Sequence, residues 1–209
     1  GGCSAINGMI YMRGQARDYD QWRQMGNPGW SWDDVLPLFR ASEDQAALSG
    51  PALDEAIHGT GGEWRVEKQR LSWAILDAFK AAAEHYGLRH TDDFNAGDNA
   101  GIGYFHVNQK RGRRWSSARG FLKPALKRLN LRLETDVLVE RLLIEDGRAV
   151  GVRYSQRGET IEARAKGEVV LCAGSIGSVQ VLHRSGIGPA EWLAPLGIEV
   201  AWLSGSRRK

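Results

Sequence analysis

Two short segments rich in glycine and small hydroxyl residues constrain this chain more than any other feature. Residues 1–9 read GGCSAINGM, and residues 174–188 read GSIGSVQVLHRSGIG. Glycine has no Cβ, so such segments allow backbone N–H groups to approach a phosphorylated ligand closely. A single glycine cluster is weak evidence because most are turns. The occurrence of two, in this order, points to nucleotide binding.

The first half of the sequence is dominated by helices and loops. Residues 18–25 and 72–86 have helical character, and apolar residues recur every three to four positions in the second segment, which ends at Gly87. Ser31 is expected to cap a further helix, which Pro37 should weaken or delimit. The other expected elements are a long loop at 44–62, short strands at 64–66 and 104–108, and a helix from Ser116 interrupted near Pro124.

The second half of the sequence changes to the period of strands. Residues 142–154 predict a hairpin whose turn is Asp146-Gly147, and residues 161–165 predict a further strand. Residues 168–173 are continuously apolar after Glu168, which is typical of a strand buried on both faces. A small-residue turn then leads into a helix expected over residues 178–184. Strand, turn and helix in this order form the unit that directs a strand's carboxyl end at a nucleotide, so we expect an α/β fold.

Composition narrows the class of protein. The chain has 209 residues, 42 % of them hydrophobic and 25 % charged, with a net charge of +3, which is ordinary for a globular protein and does not favour nucleic acid as a partner. Cys3 and Cys172 have no metal-ligand spacing, and the five histidines form no paired motif, so we expect no metal site. The cysteine content favours a reducing, cytoplasmic location. No apolar run reaches the ~18 residues of a membrane span, and peripheral association with a membrane is left open.

The basic run at residues 110–114, Lys-Arg-Gly-Arg-Arg, has two interpretations. Because the run is short and interrupted by glycine, a solvated loop is the plainer one. A contact with phosphate, or with an anionic partner of a binding module, is the alternative.

Three segments carry a resemblance to a known family. Residues 1–14 and 18–31 are similar to the first signature, and to the segment that follows it, of the glucose–methanol–choline (GMC) flavoprotein oxidoreductases. Within that family they resemble the branch that holds choline dehydrogenase and related alcohol dehydrogenases. Residues 174–188 resemble the second signature, with Val179 where proline or serine is usual. Proline there would only occupy the first turn of a helix, so valine should be tolerated.

The resemblance implies a division of the chain into segments of different function. It covers the chain from Gly1 to about Leu203 and implies a mixed α/β structure, with a partial FAD-binding dinucleotide fold and part of a substrate-binding cap domain. The expected segments are 1–19 for FAD binding and the flavin lid, 20–110 for the cap domain, 111–203 for the second part of the FAD-binding domain, and 204–209 as an aberrant tail.

The resemblance also implies a set of residues that bind FAD. The first signature contributes Gly1, Gly2, Asn7, Gly8, Met9 and Ile10, along the pyrophosphate and isoalloxazine. Ala173 and Gly174 would pass under the adenosine half, and backbone groups of Val137 would hold the adenine; a plain core strand residue is the alternative for Val137. Ile6 stands where family members with covalently linked flavin have histidine, so FAD is expected to bind non-covalently.

The activity implied by the resemblance is the oxidation of a primary alcohol, choline-like or aliphatic. A hydride would pass from the substrate to flavin N5, and the electrons would then pass to a quinone or other acceptor. The family's Gly-x-Gly-x-x-Gly segment and its catalytic histidine have no counterpart in this sequence. We therefore expect an internal fragment of an enzyme that is inactive alone. A catalytically inactive truncated or pseudogene product of the same family is the alternative.

Overall fold

The chain divides into two compact units, Gly1–Leu131 and Arg132–Lys209. This computed structural model describes residues 2–201. Helices and sheets occur in both units, which confirms the mixed class predicted from the sequence. The division into two units reflects how compactly each part of the chain is packed, not what it does. The assignment of residues 1–19, 20–110 and 111–203 to cofactor and substrate functions therefore stays a prediction, and residues 204–209 lie outside the described residues.

The first unit combines helices with two small sheets. Its helices are α1 (Ala16–Gln24), α2 (Trp32–Ser42), α3 (Ala74–His85) and α4 (Lys123–Ala125), with 3-10 turns at Cys3–Ala5 and Gly50–Ala52 and a π-helical turn at Ala118–Leu122. Its strands are β1 (Glu43–Gln45), β2 (Trp64–Lys68), β3 (His106–Val107), β4 (Gln109–Lys110) and β5 (Arg113–Arg114). Strand β2 pairs in parallel with β1 and antiparallel with β3, while β4 and β5 form a separate hairpin.

The predicted cap of α2 is confirmed in detail. The Ser31 hydroxyl accepts a hydrogen bond from the Asp34 N–H, and the Asp34 carboxylate accepts one from the Ser31 N–H, which together form a capping box. Pro37 lies in the second turn of the helix and does not end it. Helix α2 ends at Ser42 and β1 begins at Glu43, so the helix sets where the sheet of β1, β2 and β3 begins.

Part of the segment predicted as a long loop is strand β1, and its end, around Gly59, folds tightly onto α2. Gly59 makes this close approach possible, because a Cβ at that position would lie 1.9 Å from the carbonyl oxygen of Arg40. The neighbouring His58 is thereby carried into the interior, where it is 2 % exposed.

The second unit is a three-stranded antiparallel meander with helices beside it. Its elements are β6 (Val137–Glu145), β7 (Arg148–Gln156), β8 (Glu159–Arg164), α5 (Gly174–Arg184) and α6 (Ala190–Leu193), followed by a 3-10 turn at Ala194–Leu196. The predicted hairpin is confirmed: Asp146 and Gly147 both have positive φ, 50° and 74°, as a primed two-residue turn requires. Helix α5 is tied to the sheet, since the Ser185 hydroxyl accepts a hydrogen bond from the Leu142 N–H at 2.8 Å.

The prediction of a buried strand at residues 168–173 is wrong for this structure. The segment has no regular secondary structure, and Val170 is 75 % exposed. A strand buried on both faces needs neighbouring strands, and in the described part of the second unit the sheet ends at β8 without pairing to this segment. The helix that follows begins at Gly174 rather than at residue 178.

Helix α3 confirms the clearest helical prediction but leaves its apolar face uncovered. Its bounds, Ala74–His85, lie within two residues of those expected. Ile75 and Phe79 are 70 % and 65 % exposed. Across residues 2–201, no helix combines the length and apolar character that crossing a bilayer requires.

Replacing Ser31 with alanine should lower the free energy of unfolding by about 1 kcal/mol, because the Asp34 N–H loses its side-chain acceptor. Urea unfolding followed by tryptophan fluorescence measures this loss. Ser72→Ala is the matched control, since Ser72 is exposed and lies just ahead of α3, outside the helix. Equal effects of the two substitutions would show that the cap does not stabilise α2.

Candidate functional site

The glycine-rich segment at the start of the first unit is held by the β4–β5 hairpin. The guanidinium of Arg114 donates to the carbonyl oxygen of Ser4 at 3.2 Å and to Oδ1 of Asn7 at 2.8 Å. The same Asn7 oxygen accepts from the Met9 N–H at 3.1 Å. One cation of the basic run thus serves an internal structural contact. Another, Lys110, lies 4.9 Å from the centre of the Trp115 ring.

The next residues of the segment run alongside β3. The Asn108 N–H donates to the carbonyl oxygen of Met9 at 2.7 Å, and the Tyr11 N–H donates to that of His106 at 2.9 Å. Met9 has a positive φ of 62°, a conformation uncommon for a residue with a side chain. The backbone from Met9 to Tyr11 is therefore fixed from one side by two hydrogen bonds.

The opposite side of this segment is open. Gly2, Asn7 and Gly8 are exposed, and Ile10 is 50 % exposed. A Cβ at Gly2 or Gly8 would meet no atom within 4 Å, so a bound molecule could approach the backbone there. Gly1, which the sequence assigned to the same set, lies outside the described residues.

The remaining predicted FAD residues lie in the second unit. Ala173 is the N-cap residue of α5 and Gly174, with φ 81°, is its first residue; both are exposed. Alanine offers no side-chain acceptor, so no N-cap side chain occupies the first-turn N–H groups of this helix. Val137 is the first residue of β6, half-buried and paired with Gln156. The roles of these residues in FAD binding stay predictions.

A buried cluster of four charged side chains lies in the first unit, and sequence reasoning missed it. The Arg13 guanidinium donates to Oε2 of Glu43 at 2.7 Å. Nδ1 of His58 lies 3.1 Å from Oε1 of the same carboxylate, and its Nε2 lies 2.8 Å from Oδ2 of Asp93. The side chains of Glu43 and His58 are fully shielded from solvent, Arg13 is 2 % exposed and Asp93 is 13 % exposed. These four residues form what we call the charge cluster.

Neutral groups complete the hydrogen bonding around the charge cluster. Asn95 accepts from the Arg13 N–H at 2.7 Å, and the Tyr11 hydroxyl accepts from the Arg13 guanidinium at 3.2 Å. The carbonyl oxygen of Ile57 accepts from the same guanidinium at 2.8 Å, while the Gly59 N–H donates to Glu43 at 2.8 Å. Buried charges are tolerated when they are paired and fully hydrogen-bonded, which is the case here.

The cluster fixes the charge states of its members. Burial alone would lower the pKa of His58, but its hydrogen bonds to Asp93 and Glu43 outweigh burial and raise this pKa to about 9. Burial would likewise raise the pKa of Asp93, yet the hydrogen bond from His58 brings it below its usual value. At neutral pH His58 is therefore positively charged and Asp93 negatively charged.

Burial also acts on two neighbours of the cluster. It raises the pKa of the Tyr11 hydroxyl to about 12 and lowers the pKa of His106. Tyr11 therefore serves as a neutral acceptor for Arg13. Among residues 2–201, no three histidine, cysteine, aspartate or glutamate side chains converge as a metal site would require.

Comparison with known proteins decides the family. The profile of the family described as GMC oxidoreductase matches residues 1–200. The chain belongs to this family. The resemblance inferred from the three sequence segments is therefore confirmed.

Individual GMC relatives agree with this assignment. Oxygen-dependent choline dehydrogenase of Sinorhizobium fredii is 40 % identical over 200 residues, which are 96 % of this chain and 35 % of that protein. Human mitochondrial choline dehydrogenase is 39 % identical over 201 residues, 96 % of this chain and 33 % of the relative. An FAD-dependent oxidoreductase from Chaetomium thermophilum has a TM-score of 0.87 at 32 % identity, over 96 % of this chain and 36 % of that structure. The chain thus spans about a third of the length of these GMC proteins.

Replacing Glu43 with glutamine should lower the free energy of unfolding of the first unit by about 3–5 kcal/mol, because two buried cations lose their shared anion. Urea unfolding at neutral pH measures this change. Glu84→Gln is the matched control, since Glu84 also contacts a lysine and a histidine but is 36 % exposed. A loss for Glu43→Gln as small as that of the control would contradict the role of the charge cluster.

Proposed function

We propose that this chain is part of an FAD-dependent oxidoreductase that oxidises CH–OH groups of a small alcohol. A primary alcohol, choline-like or aliphatic, is the proposed substrate. The single observation behind this proposal is the match to the GMC oxidoreductases over residues 1–200, together with relatives that are named choline dehydrogenases. Because the chain spans about a third of those relatives, the activity is proposed for the protein that contains it.

Exposed backbone in each unit supports the proposed binding of a flavin dinucleotide. In the first unit, the backbone at Gly2, Asn7 and Gly8 is exposed and unobstructed. In the second unit, the first turn of α5 at Gly174 has N–H groups free of an N-cap side chain, a favourable environment for a phosphate. We therefore assign Gly2, Asn7 to Ile10, Ala173 and Gly174 to FAD binding, with Val137 at the adenine.

This proposed placement gives FAD and the residues of this chain different roles. When bound, FAD would supply the redox chemistry, as the acceptor of a hydride from the substrate carbon. The residues of this chain bind and orient: Arg114 holds Asn7 in place, and Met9 and Ile10 present the backbone beside the proposed flavin. We propose that the proton acceptor is the family's catalytic histidine, to which none of the five histidines of this sequence corresponds by position. His58 and His106 are buried within the first unit.

The electron acceptor and the cellular location stay proposals. A quinone or another acceptor is the proposed electron acceptor, although the bacterial relative is named oxygen-dependent. The human relative carries the word mitochondrial in its name. We propose a cytoplasmic location for this protein, with peripheral association to a membrane as the alternative.

The protein expressed from the complete gene should purify yellow, and an excess of choline or of an aliphatic primary alcohol should bleach its flavin absorbance under anaerobic conditions. The readout is the absorbance band of oxidised flavin, at about 450 nm. Matched samples with the corresponding acid in place of the alcohol control for non-specific effects. A yellow protein that no alcohol bleaches would favour the inactive alternative, and a colourless protein that FAD does not restore would contradict the proposed cofactor.

Acid precipitation should release all the flavin into the supernatant, because Ile6, which is 85 % exposed, offers no atom for a covalent bond to the isoalloxazine. The absorbance of supernatant and pellet, compared after removal of free FAD, measures the released share. A pellet that stays yellow after repeated washing would show that another side chain links the flavin covalently.

A further inference from the structure

The charge cluster adjoins the segment that is proposed to face the flavin. Arg13 follows Ile10 within one extended stretch that belongs to no helix. Backbone hydrogen bonds of Met9 and Tyr11 hold this stretch from one side. On the carboxyl-terminal side Arg13 is held twice, through its N–H and through its guanidinium, both bonded to buried partners. Weaker support comes from the Asn95 amide, which donates to the carbonyl oxygen of Tyr11 at 3.3 Å, and from the Gly14 N–H, which donates to the Tyr19 hydroxyl at 3.1 Å. Arg13 is the one charged anchor among these contacts, so the location of Met9 and Ile10 depends in large part on how firmly Arg13 is fixed.

We propose that Arg13, Glu43, His58 and Asp93 act together as positioning residues that set where Asn7 to Ile10 lie for flavin binding. The flavin in this inference rests on the proposed function. The fixed geometry of the segment does not rest on the proposed function, and it can be measured without flavin.

Stability alone is a weak reason for burying four charges. Replacing a buried ion pair with well-packed apolar residues is often neutral or stabilising, because desolvation offsets the Coulomb attraction. What such a cluster provides is a single geometry. Both oxygens of Glu43 are engaged, by Arg13, His58 and the Gly59 N–H, so a small displacement of any partner breaks a charged hydrogen bond.

His58 is the member that joins two anions, since its two ring nitrogens contact Glu43 and Asp93. Only the protonated ring can donate at both nitrogens. The ordinary pKa of histidine, 6.5, rises to about 9 here. The contribution of His58 is therefore complete below pH 6.5 and is lost as the pH rises through about 9. The charged or titratable groups around it are Glu43 and Asp93, bonded to its ring, Arg40, whose guanidinium donates to its carbonyl oxygen, and His106. Arg13 and Tyr11 interact with the same Glu43 carboxylate.

The test uses His58→Gln in the complete flavoprotein, with His90→Gln as the matched control. His90 likewise lies between two carboxylates, Glu84 at 2.9 Å and Asp92 at 3.3 Å, but its side chain is 44 % exposed. The dissociation constant of FAD, measured by flavin fluorescence from pH 6 to about pH 10, is the first readout. The second is hydrogen–deuterium exchange at the Tyr11 amide, which requires no flavin.

His58→Gln should weaken FAD binding on the order of tenfold at neutral pH and speed exchange at Tyr11, while His90→Gln changes neither. The wild-type protein should bind FAD more weakly as the pH rises through about 9, and His58→Gln should remove that dependence. A variant that melts at a lower temperature yet keeps the wild-type FAD affinity and pH profile would overturn the inference, because the cluster would then act on stability alone.

Two further results keep the inference separate from the proposed function. Should His58→Gln fail to fold, the wild-type pH profile decides: an FAD affinity that is constant through pH 9 overturns the positioning role. Should the wild-type protein bind no FAD, the proposed function fails. Hydrogen–deuterium exchange at the Tyr11 amide then tests whether the cluster fixes the geometry of the segment. Equal exchange rates in the wild-type protein and in His58→Gln would overturn that part of the inference.

Discussion

The first unit depends on the mutual neutralisation of four charges, three of them shielded from water and the fourth, Asp93, 13 % exposed. A buried charge without a partner costs several kcal/mol, so Arg13, Glu43, His58 and Asp93 are compatible with the fold only when all four are together. They come from the amino-terminal stretch, from β1, from the loop over α2 and from the loop before β3. Their convergence therefore fixes four parts of the chain at once, in a unit whose strands are too short to do so.

The charge cluster and the glycine segments have complementary physical roles. The cluster is largely buried and its charged groups are hydrogen-bonded to one another, whereas Gly2, Gly8 and Gly174 leave open backbone where no Cβ intrudes. An open backbone can bind a ligand strongly only if it is held in place beforehand, because ordering it on binding would cost conformational entropy. Membership of the GMC oxidoreductases gives this arrangement its proposed purpose, the recognition of a flavin dinucleotide.

The sequence predicted those features whose causes are local. The cap at Ser31 and the turn at Asp146-Gly147 depend on neighbouring residues, and both are present. The family was likewise accessible, because its signatures are contiguous. The strand at residues 168–173 was predicted wrongly, since a strand requires a partner that apolar character alone does not provide. The charge cluster could not be predicted either: its members follow no periodicity or motif, and only the tertiary fold brings them together.

A double-substitution measurement tests the central claim, that the cluster acts as one unit in holding Asn7 to Ile10, the segment proposed to face the flavin. The FAD dissociation constants of Glu43→Gln, His58→Gln and the double variant are compared with that of the wild-type protein. If the cluster is one unit, either substitution disrupts it. The double variant should then bind FAD no more weakly than whichever single variant binds FAD more weakly. A loss in the double variant equal to the product of the two single losses would show that the residues act independently, and would contradict the account.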